Sequence, residues 1–118
     1  MAASPAKLSR QARTLVESTE HDLLLSAASA WEIAIKHALG KLSLPELPER
    51  YVPTRMEILR TSPLPIEHGH ALRVTALPPH HRDPFDRVLV AQAQIENVPI
   101  LTSDLIFEEY DVTVIRAA

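Results

Sequence analysis

Asp83-Pro84-Phe85-Asp86-Arg87-Val88-Leu89-Val90-Ala91-Gln92-Ala93-Gln94-Ile95-Glu96-Asn97, running straight into Val98-Pro99-Ile100-Leu101-Thr102, decides how this chain folds. Asp83 is a capping residue, Pro84 suits the first helical position, and Phe85, Val88, Leu89, Ala91, Ala93 and Ile95 make the segment apolar over most of its surface. A well-buried helix from Asp83 to Asn97 is predicted. Val98 to Thr102 is a short apolar run of strand length. A buried helix feeding a buried strand belongs in a layered α/β domain.

The flanking segments supply the other layers. Asp22-Leu23-Leu24-Leu25-Ser26 is continuously apolar, as suits a strand buried on both faces. Ser29-Ala30-Trp31-Glu32 has the Ser-x-x-Glu form of a capping box, and Trp31, Ile35, Ala38, Leu39 and Leu42 follow at helical spacing until Gly40-Lys41 supply a stop. Pro48 to Arg60 reads as a helix whose regularity Pro53 limits. Thr61 to Ile66, with two prolines, reads as a short edge strand, and Glu67 to Leu77 as a helix ending at Pro78-Pro79. Asp104 to Glu109 is read as a short helix and Val112 to Ile115 as a closing strand. Near the front, Ser9 to Ser18 reads as a serine-capped helix. Strands separated by helices pair in parallel through right-handed crossovers, so a three-layer α/β/α domain with a mainly parallel sheet is expected.

Composition narrows the function. At 118 residues the chain is expected to form a single domain over residues 1–118. It has no cysteine, which removes disulfides, thiolate zinc sites and cysteine nucleophiles together. With no apolar run of membrane-spanning length and no leader-like apolar core in Met1 to Lys7, a cytoplasmic protein away from membranes is expected. The formal charge of −3 argues against coating nucleic acid by bulk electrostatics, so any such contact is confined to a site. Glycine occurs only at positions 40 and 69, which leaves no phosphate-binding loop and disfavours a phosphatase of that kind.

Chemistry falls to the acids. Glu32, Asp86 and Asp104 are each expected in the first turn of a helix, and in a parallel sheet such turns gather beyond the carboxyl ends of the strands. Clustered ionised oxygens suit hard cations such as Mg²⁺ or Mn²⁺, which activate water at a phosphodiester. Arg82 and Arg87 are placed to steer the phosphate. Each acid also has a structural reading, as a cap or as a first-turn residue favoured by the helix dipole. Thr102 and Ser103 either cap the following turn or support a neighbouring carboxylate or metal-bound water. His68-Gly69-His70 and His80-His81 lack a third ligand and read as surface or loop residues, and Trp31 and Phe85 read as core.

Three blocks together resemble the PIN-domain toxins of VapBC toxin–antitoxin systems: Leu24 to Lys36 with Gly40-Lys41-Leu42, His81 to Ala93, and Ile100-Leu101-Thr102-Ser103-Asp104. That resemblance implies a Mg²⁺- or Mn²⁺-dependent endoribonuclease toxin, silenced by a cognate antitoxin and forming a homodimer. It implies Glu32, Asp86 and Asp104 as catalytic metal ligands with Asp83 as a neighbour, Arg87, Thr102 and Ser103 in support, and Arg82 and Arg87 on RNA. It also implies a first, central strand ending in aspartate, which nothing in Met1 to Leu8 matches. On that expectation the sheet is opened, strand edges invite self-association and cation binding is weak. The alternative is a catalytically silent module that engages an antitoxin or dimer partner.

Overall fold

A computed structural model describes residues 23–79 and 82–116. The helix expected from Ser9, the question of a first strand, Asp22 and the His80-His81 pair lie outside the described residues.

Strand β1 (Leu23–Ser26) ends at a buried serine. Ser26 keeps extended backbone while its hydroxyl accepts from the Ala28 N–H at 3.0 Å, so it caps helix α1 (Ala27–Ala38). The capping box expected at Ser29 is thereby corrected. The residue that ends the strand already has the dihedrals a cap needs, and Ser29 falls inside the helix with its buried hydroxyl unpartnered. Glu32 consequently lies in the second turn, where it pairs with Lys36 at 3.2 Å. Helix α1 stops where predicted: Gly40 takes φ +72°, which a side chain would oppose, and the Lys41 N–H returns to the Lys36 carbonyl at 2.9 Å.

Helix α2 (Pro48–Ile58) begins on a proline and continues through Pro53, forfeiting one bond where irregularity was expected. Strand β2 (Thr61–Leu64) runs parallel to β1, with Leu23 opposite Thr61 and Ser26 opposite Leu64. Helix α3 (His68–Arg73) passes into a 3-10 turn, Val74–Ala76. His70 is buried, against the surface position expected of it: its Nδ1 accepts from the Glu67 N–H at 3.0 Å, and its Nε2 lies 3.9 Å from Glu96. An imidazole with its acceptor nitrogen satisfied can enter the interior.

Helix α4 (Pro84–Glu96) is the centre of the molecule. Asp83 caps it, Asn97 closes it in the left-handed region, and Leu89, Val90, Ala91 and Ala93 are buried against Leu77, Ile100, Phe107 and Tyr110. Strand β3 (Ile100–Thr102) follows, then the expected short helix as a 3-10 turn, Leu105–Glu109, and strand β4 (Val114–Arg116) parallel to β3. Every pairing among the described residues is parallel, as the alternation predicts. Among the described residues the strands form two separate pairs, β1 with β2 and β3 with β4, and not one continuous sheet.

Helix α4 ties the first pair down through a buried polar bridge. The Ser26 hydroxyl donates to Gln92 Oε1, and Gln92 Nε2 donates to the Pro65 carbonyl at 3.2 Å. Gln92→Leu keeps the volume and strands both partners, so a loss of about 1–3 kcal/mol is expected in denaturant unfolding. Unchanged stability would show that the bridge contributes nothing net.

Candidate functional site

The start of α4 is built around one carboxylate. Asp83 Oδ1 accepts from the N–H groups of Phe85 at 2.8 Å and Asp86 at 3.3 Å, which fixes the side chain at the positive end of the helix dipole. Asp86, three residues on, shares that helix face. Glu32 reaches the same place from α1, and one carboxylate oxygen from each of Glu32, Asp83 and Asp86 lies within 4.8 Å of the other two. All three side chains are partly exposed, so the group is reachable from solvent.

Three carboxylates at that spacing repel. At an effective dielectric of about 20, two like charges 4 Å apart repel by about 4 kcal/mol, less where water screens them. Lys36 beside Glu32 and the α4 N-terminus beside Asp83 and Asp86 offset part of this. A hard divalent cation offsets more. Oxygens on opposite sides of one ion bound at about 2.1–2.4 Å stand about 4.2–4.8 Å apart, so the donor set and spacing fit such an ion.

Asp104 is not among the acids brought together. Its carboxylate accepts from the Ile106 N–H at 3.0 Å, its own N–H donates to the Thr102 hydroxyl at 3.1 Å, and it caps the 3-10 turn. Just before it, Thr102 at the end of β3 is buried and Ser103 is exposed. Asp83, read from sequence only as a neighbour, takes the third place. The signal that finds it is the i, i+3 spacing to Asp86.

Arg87 supports the framework. Its Nη2 donates to the carbonyls of Val74 at 2.9 Å and Leu77 at 3.5 Å, and its Nη1 to the Pro78 carbonyl at 3.0 Å and the Tyr110 hydroxyl at 3.4 Å. The guanidinium thus holds the segment before α4 against the helix that carries two of the acids. Arg82 is exposed, just before the cap.

Trp31 corrects the expectation of a core residue. It is 60% exposed and meets Phe85 edge to face, ring centres 5.1 Å apart and planes at 76°. The apolar core forms further along α4, from Leu89 onward, so the start of the helix is left to the acids and this aromatic pair.

Comparison with known proteins gives the family. Residues 2–112 match the family described as PIN domain. Ribonuclease VapC16 of Mycobacterium tuberculosis (strain ATCC 25618 / H37Rv) is 52% identical over 60 residues, 51% of this chain and 43% of that relative. The match therefore spans less than half of the relative's length. With helices and parallel strands in place and the family pattern running through most of its sequence, the chain belongs to the PIN-domain family.

Proposed function

We propose that this chain is an endoribonuclease dependent on Mg²⁺ or Mn²⁺, and the toxin of a type II toxin–antitoxin pair. The observation that carries this reading is the convergence of Glu32, Asp83 and Asp86 from two helices of a PIN-family chain. The ribonuclease name of the relative supports the same substrate class.

Glu32, Asp83 and Asp86 are the residues that would hold the cation. When bound, a divalent cation lowers the charge at a phosphodiester and favours water as the nucleophile. The chain's own groups do the rest. The two backbone donors on Asp83 keep its carboxylate aimed, and Lys36 restrains Glu32. Arg82 is proposed to meet the RNA phosphates at the rim. Arg87, Thr102 and Ser103 are proposed to hold the geometry, and Asp104 to act as a further acid. In this reading the protein works in the cytoplasm, as a homodimer or bound to an antitoxin.

Incubated with RNA, the full chain is expected to give internal cuts with Mg²⁺ or Mn²⁺ and none with excess chelator. A chain that cuts RNA equally well in chelator does not use this site as described. The second reading, a silent module that engages an antitoxin or a second copy, draws on the exposed apolar side chains Leu39, Leu47 and Ile58. Stable binding of an antitoxin without cleavage under either cation favours it.

A further inference from the structure

The only tryptophan in the sequence stands in water beside the acids. Trp31 directly precedes Glu32 and Phe85 directly precedes Asp86, while the carboxylates of Glu32, Asp83 and Asp86 lie within 4.8 Å of one another. The ring contact and the acid group thus both bridge α1 and the start of α4, at adjacent positions on each. An indole 60% exposed adds little to the core, yet Phe85 holds it edge to face at 5.1 Å. A ring that is both fixed and accessible is prepared to receive something flat.

Charge points to what that is. The chain carries a formal −3 and its candidate site is acidic, so an RNA strand gains little from the protein's overall field. Lys36, the basic residue nearest Glu32 in the helix, is already paired with it. Beyond what exposed Arg82 and a bound cation contribute, affinity calls for a contact that does not depend on charge. Stacking of a base on an aromatic ring supplies one, and every base offers a face for it.

We propose that Trp31, braced by Phe85, is a stacking platform for the nucleobase next to the phosphodiester presented to Glu32, Asp83 and Asp86. This rests on the ribonuclease reading above. The platform adds affinity and sets where the strand lies, with little preference for sequence.

Because the sequence has a single tryptophan, its emission reports this position alone. The full chain is titrated with a short single-stranded RNA, with Ca²⁺ as the divalent cation so that the strand is held and cut slowly, and with an abasic strand of the same length. The expected result is saturable quenching by the RNA and a much smaller response to the abasic strand. In cleavage assays with Mg²⁺, Trp31→Ala is expected to raise KM about tenfold with kcat within about threefold, and Trp31→Phe to recover most of the loss. Equal responses to the two strands overturn the platform. So does cleavage without quenching, which leaves the ribonuclease reading standing. Absence of both cleavage and quenching brings down the two together. An emission shift that tracks protein concentration and ignores RNA assigns the rim to a second copy and overturns the proposal.

Discussion

Asp86→Asn is expected to cut the rate of RNA cleavage about a hundredfold or more, the scale of removing one well-placed electrostatic group from a reacting centre. The amide keeps the size and shape of the side chain and removes its charge. The first turn of α4 is left intact, because its cap is Asp83 and not Asp86. Thermal unfolding of the variant is therefore expected within a few degrees of the parent protein. Glu32→Gln tests the same point from the other helix. A cation titration followed by calorimetry should weaken in parallel with activity for both variants. Full activity in Asp86→Asn would remove this residue from the reaction, and a collapse in Tm matching the activity loss would make it a structural acid.

Arg87→Ala is expected to lose about 3 kcal/mol of stability, or roughly 10 °C in Tm, with the carbonyls of Val74, Leu77 and Pro78 left to find other donors. Hydrogen bonds from a charged donor are each worth more than neutral ones, and Leu77 belongs to the buried core. Arg87→Lys restores the charge without the planar fork and should recover less than half of the loss. Chemical denaturation with both variants measures this directly. If Arg87→Ala unfolds like the parent while losing RNA affinity, the guanidinium serves the substrate and not the fold.

Much of the fold was legible because local chemistry and tertiary position agree along α4. Asp83, Pro84 and a nearly continuous apolar surface demand a capped, buried helix, and one is found from Pro84 to Glu96. Gly40 was legible for the same reason: a positive φ at a helix end suits glycine. Ser26 and Ser29 were harder to separate. Both are serines ahead of a helical pattern, and only the point where β1 ends decides which one has extended backbone.

The site was half legible. Asp83 and Asp104 carry the same local signature, an acid that caps a turn, and both do cap. What separates them is the distance to Glu32, which depends on how α1 packs against α4 and leaves no trace in spacing. Trp31 was misplaced because helical periodicity gives the faces of a helix but not which face meets the core. The separation of the strands into two pairs is likewise a matter of partners, which no single segment specifies.

The division of the strands has a consequence for how the acids stay together. Glu32 rides on α1, which is continuous with β1 and so with the first pair, while Asp83 and Asp86 ride on the helix that leads into the second. Ser26, Gln92 and Pro65 link the helix to that first pair through two side-chain hydrogen bonds. Loss of that link would loosen the hold of α4 on the β1–β2 pair, and with it the spacing of the three carboxylates. Anything that clasps all three carboxylates at once therefore also fastens α1 to the start of α4, and is expected to raise Tm as well as support activity.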